Sequence, residues 1–226
     1  SGNNTLAGNA SAVTVDLGAS TVTTNANTLS VTSNATGSVS RTTGYVIGNL
    51  NRAINTGTNS YAYAIGTSGG YTPATISLNG VTTGGSITAV TLNGVSANYP
   101  ATLSATDRLA RHWTITNNGV AGFTADVQFD YLGGDLTGAA TSSSIKAYKF
   151  DGPSTVSYPT YTTGSNTFTV TGLSSFNEFG AGNCDVSSIA SVTGTSPLCV
   201  GSSATYSANS VVLGSGTGAW SSSDNG

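Results

Sequence analysis

The sequence predicts an all-β protein, and three observations lead to that fold class. Apolar and polar residues alternate in short segments along the chain, as half-buried strands require. Threonine, serine, asparagine and 30 glycines supply strand and turn positions, because the β-branch of threonine fits a pleated surface while glycine and asparagine suit turns. Helix-favouring residues are scarce, since the chain has no methionine and a single glutamate. We expect antiparallel β-sandwich modules in tandem, the last of them incomplete.

The N-terminal part of the chain contains short alternating pieces separated by polar turns. Val13, Val15 and Leu17 share one predicted face. Leu29 and Val31 share another. Pieces spaced roughly ten to fifteen residues apart indicate a sheet edge or a short β-solenoid-like run.

The clearest strands lie in the middle of the chain. Residues 123–131 alternate throughout, with aromatic and aliphatic side chains at every odd position. Residues 111–119 place Trp113 and Ile115 on one face and end in an Asn-Gly turn signal. Further strands are predicted in residues 44–54, 60–67, 74–81, 86–95, 144–152 and 166–173. Strands with one buried and one solvent-exposed face, joined by hairpin turns, are typical of an antiparallel sandwich.

The stretch "SSFNEFGAGNCDV", residues 174–186, changes in character from an aromatic strand end through a predicted glycine hinge to the first cysteine. We interpret it as a seam between domains. The predicted division is a short-strand β segment at 1–43, a β-sandwich module at 44–183 and the first strands of an immunoglobulin-like domain at 184–226. A complete sandwich of that type needs about 100 residues, so we expect the last domain to be truncated or completed by another chain. Without methionine, the chain is expected to be a processed product or an internal fragment.

Two stretches resemble secreted, surface-attached repeat proteins of the Bacteroidetes type. Residues 111–115 ("RHWTI") resemble the opening strand of a recurring β-sandwich module, and residues 175–179 ("SFNEF") resemble its closing strand. Residues 189–226 resemble the first strands of a bacterial immunoglobulin-like repeat. The resemblance implies a surface adhesin, a matrix component or a stalk for other domains. It brings no catalytic residues with it.

The charge inventory excludes several partners. Only 7% of residues are charged and the net charge is −3, so the chain has no basic patch for nucleic acid. It contains no run of 18 apolar residues, so no transmembrane segment is expected. The composition favours a secreted or cell-surface protein, and no cofactor is expected.

Candidate catalytic and metal-binding residues are few. His112 is the only histidine, and its predicted place on the polar face of a strand favours a half-exposed strand residue over a catalytic triad. The candidate acids are Asp126, Asp130, Asp135 and Asp151. Asp126 and Asp130 lie about 13 Å apart along one strand, too far for a retaining glycosidase pair. The loop from Asp130 to Asp135 is a weak calcium candidate, and the alternative is that these are surface turn acids. No enzymatic activity is predicted.

Two cysteines and two tyrosines complete the candidate sites. Cys184 and Cys199 are expected to form a disulfide worth about 3 kcal/mol in the chain-entropy model. Free thiols, or partners outside this chain, are the alternative. Tyr158 and Tyr161 are candidate sugar contacts, because an aromatic face suits the C–H-rich surface of carbohydrate. The alternative is that they cover sandwich edges and cores.

These observations favour a non-enzymatic extracellular structural or adhesive protein, part of a surface fibre, matrix or adhesin. Expected partners are other copies of the chain, other surface proteins or glycans. Assembly by strand complementation would use an open strand edge, with residues 5–24 as the donated strand. The alternative function is a carbohydrate-binding or stalk module of a secreted enzyme.

Overall fold

A computed structural model of the chain describes residues 2–101, 103–152, 155–184, 188–193 and 207–212. Apart from one short 3₁₀ turn, the regular structure of these residues consists of β-strands. The predicted all-β class is therefore confirmed. In this part of the chain no helix is long and apolar enough to cross a membrane.

Twenty-one strands follow one another along the described residues. The first six are β1 (Asn3–Thr5), β2 (Ala10–Ala12), β3 (Val15–Asp16), β4 (Thr21–Val31), β5 (Val39–Ser40) and β6 (Val46–Ile54). The next eight are β7 (Gly57–Tyr63), β8 (Ile65–Thr67), β9 (Gly70–Tyr71), β10 (Ala74–Val81), β11 (Gly85–Asn93), β12 (Leu103–Arg108), β13 (Arg111–Asn118) and β14 (Thr124–Asp130). After the 3₁₀ turn (Gly133–Asp135) come β15 (Lys146–Gly152), β16 (Thr155–Ser157), β17 (Tyr161–Gly164), β18 (Thr167–Leu173), β19 (Glu178–Cys184), β20 (Ser188–Thr193) and β21 (Ser207–Val212).

The N-terminal strands form stacked parallel coils. β1 and β2 both pair in parallel with β4, β4 pairs in parallel with β6, and β6 with β8. The short strands β3 and β5 pair in parallel as well. Paired residues lie 18 to 24 positions apart in the chain, as Asn3 with Thr21 and Val22 with Val46 show. This region is solenoid-like, as one of the two sequence interpretations had it.

The parallel coils differ from the antiparallel sandwich modules predicted as the fold class of the chain. Alternation tells which face a residue occupies, but it carries no information about the direction of the neighbouring strand. Inside the coils, Leu29 lies beside Leu50 and Val22 beside Val46. Leu29, Val46 and Leu50 are buried. Apolar residues one coil apart therefore stack on one another.

Arg52 links one turn of the coils to neighbouring strands through hydrogen bonds. Its side chain is fully buried. Nη1 donates to the carbonyl of Ala62 at 2.6 Å, and Nη2 donates to the carbonyl of Thr36 at 2.7 Å and to the Ser38 hydroxyl at 3.1 Å. Desolvation lowers the pKa of Arg52. One side chain thus holds the connection between β4 and β5 against β6 and β7.

The coils continue into antiparallel strands within one sheet. β6 pairs antiparallel with β11, β11 with β13, and β13 with β19. β19 then pairs with β15, and β15 with β16. Parallel and antiparallel strands thus belong to a single 12-stranded sheet. The predicted boundary at 43/44 falls between β5 and β6, and the division into domains stays a prediction.

A second sheet shares one buried core with the first. Its five antiparallel strands are ordered β17-β18-β14-β10-β7. Trp113 of β13 contacts Phe129 of β14 and Phe168 of β18, at ring-centroid distances of 4.9 and 5.7 Å. Phe129 also contacts Phe179 of β19 at 5.2 Å. Exposed and buried residues alternate along β14 as the sequence predicts. Aromatic side chains from both sheets therefore form the centre of the core.

The glycine segment predicted as a hinge is a strand. Gly180 and Gly182 lie in β19, which pairs with β12, β13 and β15. A Cβ atom on Gly180 would lie 2.5 Å from the hydroxyl of Tyr148. A Cβ atom on Gly182 would collide with the hydroxyl of Tyr99. The glycines therefore make room for two tyrosine rings on the sheet and do not bend the chain.

Beyond β19 the structure describes one pair of strands. β20 and β21 pair antiparallel, from Ser188 with Val212 to Thr193 with Ser207. Most of the predicted immunoglobulin-like start at 184–226 lies outside the described residues. That prediction stays untested.

Candidate functional site

The single histidine lies on the surface of the large sheet. His112 is half-buried, and its Nδ1 lies 3.1 Å from the carbonyl oxygen of Gly94. The neighbouring Trp113 is completely buried, so the two side chains occupy opposite faces of β13, as predicted. Among the described residues, no three His, Cys, Asp or Glu side chains come together as a metal site would need.

Asp135 belongs to a buried ion pair. Arg111 Nε donates to Asp135 Oδ2 at 2.6 Å, and Arg111 Nη2 donates to Oδ1 at 2.9 Å. The backbone N–H of Leu132 also donates to Oδ2, at 2.8 Å. The Arg111 side chain is 1% exposed and that of Asp135 13%. Arg111 Nη1 also donates to the hydroxyls of Thr67 and Thr72, at 3.4 and 3.3 Å. The ion pair accounts for the position of this carboxylate.

Two acids of the predicted group, Asp126 and Asp130, lie on β14 and accept hydrogen bonds within their own sheet. Asp130 Oδ1 accepts from Gln128 Nε2 at 2.8 Å. Asp126 Oδ1 accepts from the backbone N–H of Gly172 at 2.9 Å. The structure gives Asp130 and Asp135 different partners, and the calcium interpretation of the pair stays a prediction.

Asp151 pairs with its neighbour two residues away. Lys149 Nζ lies 2.5 Å from Asp151 Oδ1, and the Ser157 hydroxyl donates to Oδ2 at 2.6 Å. Desolvation raises the pKa of Asp151, but the hydrogen bonds from Lys149 and Ser157 and the charge of Lys149 outweigh it. The pKa therefore lies below its ordinary value. These contacts hold β15 and β16 together at the sheet edge.

The two predicted sugar-contact tyrosines have different surroundings. Tyr158 is exposed, and Lys146 Nζ lies 4.1 Å from the centre of its ring, a cation–π distance. Tyr161 begins β17 and packs against the core. The ammonium group covers one ring face of Tyr158. A sugar contact at this loop stays a prediction.

The predicted disulfide lies partly outside the described residues. The backbone of Cys184 ends β19, beside Leu103 of β12. Cys199 lies outside the described part of the chain. The disulfide therefore stays a prediction.

Sequence reasoning missed a polar cluster around the only glutamate. Glu178 in β19 accepts hydrogen bonds from the Ser96 hydroxyl and from Asn98 Nδ2, the latter at 3.4 Å. Burial raises the pKa of Tyr148 above its ordinary value, and the charge of Glu178 acts in the same direction. A lone glutamate within an aromatic strand was the signal available in the sequence. The cluster attaches the loop before β12 to the large sheet.

We expect the buried tyrosines to lower the stability of the folded protein at alkaline pH. Burial raises the pKa of Tyr63, Tyr71, Tyr131 and Tyr148 above the ordinary value of about 10. A raised folded-state pKa means that stability is intact below pH ~10 and falls as pH rises above it, because only the unfolded chain ionises there. We expect tyrosinate absorbance of the native protein to lag behind that of the protein in denaturant, and to rise together with loss of circular dichroism. Coinciding titration curves would contradict the burial of these rings.

The first coil presents an open strand edge, here called the first-coil edge and formed by β1 and β2. In the described part of the chain these strands pair with β4 and with no other strand. The carbonyl of Ala12 accepts from the N–H of Thr32 at 2.9 Å. Because successive residues of a strand direct their backbone groups to opposite sides, the N–H and C=O of Ser11 point to the open side. Val13, directly after β2, is 69% exposed, the highest exposure among the large apolar side chains described.

A second surface feature extends from the outer face of the five-stranded sheet to the connection between β13 and β14. Two depressions, of about 380 and 530 Å³, both include Asn79 of β10 and Thr124 of β14 in their walls. We call them together the outer groove. The first is also lined by Ser60, Ser77 and Asp126. Its walls carry hydroxyl, amide and carboxylate groups.

Comparisons of the chain with family models, with curated proteins and with solved structures find no match. The resemblance of residues 111–115, 175–179 and 189–226 to Bacteroidetes-type surface repeats is thus neither supported nor contradicted by them.

Proposed function

We propose that this chain is a non-enzymatic module of an extracellular fibre, matrix or adhesin, and that it associates with another subunit through the first-coil edge. The observation that carries the proposal is the open side of β1 and β2 with Val13 exposed beside it. The threonine- and serine-rich, weakly charged composition supports an extracellular setting.

An unpaired strand edge is a ready template for another strand. Its N–H and C=O groups form main-chain hydrogen bonds with any extended segment of matching direction. In a coil stack, each coil is covered by its neighbours, and a coil with an open side needs either a polar cap or a partner. An added strand beside β2 would complete the hydrogen bonds of Ser11 and cover Val13. The edge therefore offers both polar and apolar contacts to an incoming strand.

Residues 5–24, the segment predicted as the donor, lie within the coils, where β2 pairs with β4 and β3 with β5. This pairing supports a proposal in which the segment accepts a strand. The opposite edge of the same 12-stranded sheet ends in β16. Pairing of β16 from one copy with the first-coil edge of the next would be a head-to-tail contact, which extends into a filament when its rotation does not close.

We also propose a division of the chain into modules. The strands of both sheets from β6 to β19, around the Trp113 core, are proposed to be the sandwich module predicted at 44–183. The residues after 183 are proposed to begin an immunoglobulin-like module. In this view the coils are the attachment end, the sandwich is the body, and the following module continues the surface protein.

Replacing Ser11 by proline tests the association directly. Proline removes the outward N–H and obstructs an incoming strand, but it leaves the hydrogen bonds to β4 in place. We expect the wild type to form oligomers with rising concentration in light scattering, and Ser11→Pro to associate at least about tenfold more weakly, since a lost backbone hydrogen bond and a blocked edge together exceed 1.4 kcal/mol.

The matched control is Ser11→Ala, which keeps the backbone donor and should associate like the wild type. Thermal unfolding of the isolated monomer should be similar for all three proteins. Val13→Lys provides a second variant, which should weaken association through its charge at the contact. The proposal is wrong if the wild type stays monomeric throughout, or if Ser11→Pro associates as strongly as Ser11→Ala.

A further inference from the structure

The outer groove has a lining suited to one class of ligand. We propose that it binds a neutral oligosaccharide. This inference goes beyond association through the first-coil edge and does not depend on it. It places a carbohydrate site on the face of the smaller sheet, away from the tyrosine loop that the sequence suggested.

The lining chemistry favours a ligand rich in hydroxyl groups and without charge. The first depression is lined by polar residues of three adjacent strands: Thr58, Asn59, Ser60, Ser77, Asn79, Thr124 and Asp126, besides Leu78 and Ala125. No lysine or arginine lines either depression. A phosphate, sulfate or uronic acid would meet the carboxylate of Asp126 without a compensating cation. Sugar hydroxyls can both donate to carboxylate and carbonyl oxygens and accept from amides and hydroxyls.

Two groups of the groove are held in fixed orientations. The Gly172 N–H donates to Asp126 Oδ1 at 2.9 Å, and Gly172 has a φ of 71°, beside an irregularity in the pairing of β14 with β18. The left-handed backbone at this bulge points an N–H at the carboxylate. The Thr58 hydroxyl donates to Asn79 Oδ1 at 2.8 Å, so the NH₂ group of Asn79 is the donor that remains for a ligand.

Asp126 and Asn79 form an acceptor and a donor on neighbouring strands. Asn79 lies opposite Thr124, and Asp126 is two residues further along β14. Diagonal neighbours of this kind are about 7–8 Å apart, roughly the span of a pyranose ring with its hydroxyl groups. Groups fixed before binding lose less conformational freedom when the ligand arrives. The pair therefore suits the opposite sides of one sugar ring.

An aromatic side chain stands at the far end of the groove. Phe123 lines the second depression, and its ring is stacked on Phe176 with centroids 5.2 Å apart and planes 12° apart. Stacking on Phe176 fixes the orientation of the Phe123 ring. Aromatic rings offer an apolar surface to the C–H groups of a sugar. Each depression lies in the size range of small-ligand sites, about 300–1,000 Å³.

The test is binding to an array of neutral oligosaccharides of two to six hexose or pentose units, followed by titration of the strongest ligand. Sulfated and uronic-acid oligomers on the same array serve as negative probes. We expect saturable binding of at least one neutral oligosaccharide and no binding of the anionic ones. Asp126→Ala should weaken binding at least about tenfold, because it removes a charge-assisted hydrogen bond.

Variants inside and outside the outer groove distinguish it from the tyrosine loop as the sugar site. Asn79→Ala should weaken binding by a similar factor, while Tyr158→Ala should leave it unchanged. Thermal unfolding of the exposed-site variant Asp126→Ala checks that loss of binding is not loss of fold. The inference is overturned if no neutral oligosaccharide binds, if Asp126→Ala and Asn79→Ala bind like the wild type, or if only Tyr158→Ala loses binding. Oligomer formation by a protein that binds no sugar would leave the proposed assembly role standing.

Discussion

Replacing Trp113 by alanine is expected to lower the free energy of unfolding by about 3–5 kcal/mol, as for other large aromatic residues in cores. The side chain is completely buried and contacts Phe129 and Phe168 across the two sheets. Its Nε1 donates to the carbonyl of Thr72 at 3.2 Å. The substitution therefore leaves a cavity where the sheets meet and removes the donor of a buried carbonyl. Urea denaturation followed by circular dichroism measures the change.

The adjacent His112 supplies the matched control. His112→Ala alters the opposite face of the same strand, where the ring is half-buried and contacts the Gly94 carbonyl. We expect a change within about 1 kcal/mol. Equal losses for Trp113→Ala and His112→Ala would contradict the placement of the core between the two sheets.

Replacing Asp135 by alanine is the second substitution with a large expected effect. It leaves the guanidinium of Arg111 buried without its counter-charge and removes the acceptor of the Leu132 N–H. Removing one partner of a buried ion pair costs about 3–5 kcal/mol. The loss should appear as a lower urea midpoint with an unchanged slope, and Asp135→Asn should recover part of it by restoring an acceptor.

Asp130→Ala is the control for Asp135→Ala, and together the two variants also test the calcium interpretation. Asp130 accepts one hydrogen bond from Gln128 at the surface of β14, so its loss should cost about 1 kcal/mol or less. The ion-pair account predicts the same difference between the variants with calcium or with a chelator present. If calcium raises the melting temperature of the wild type and both variants abolish that increase, the two acids form a calcium site instead.

The sequence predicts well which face of a strand is buried, because burial on one side requires apolar residues at every second position. The alternation in residues 123–131 corresponds to the buried and exposed positions of β14. Trp113 and Ile115 are buried on one face of β13, as their spacing indicates. The scarcity of helix-favouring residues likewise indicates an all-β chain. These features depend only on composition and local periodicity.

Strand direction and long-range partners could not be predicted in the same way. The polar turn residues after Val15 suit an antiparallel return of the chain as well as a parallel next strand. The sequence therefore predicts the coils only as one of two alternatives. Val13 alternates with Val15 and Leu17, yet it is exposed, because it lies in the bend between β2 and β3 and in neither strand. Periodicity does not show where one strand ends and the next begins.

The candidate site depended on contacts between residues far apart in the chain. Asp135 and Arg111 meet across 24 positions, and no spacing rule links them. Gly180 and Gly182 suggested a hinge, because sequence alone does not show which tyrosines lie above a glycine. The outer groove combines residues from β7, β10 and β14, each of which looks like an ordinary polar strand position by itself.

The measurement that tests the central claim most directly is hydrogen exchange at the Ser11 amide, in dispersed and in assembled protein. The Leu6 N–H, which donates to the carbonyl of Thr23 at 2.9 Å within the coils, is the internal reference. We predict slow exchange at Leu6 in both states and, at Ser11, a change from fast to slow exchange on assembly. Fast exchange at Ser11 in assembled protein would show that no strand is added at the first-coil edge.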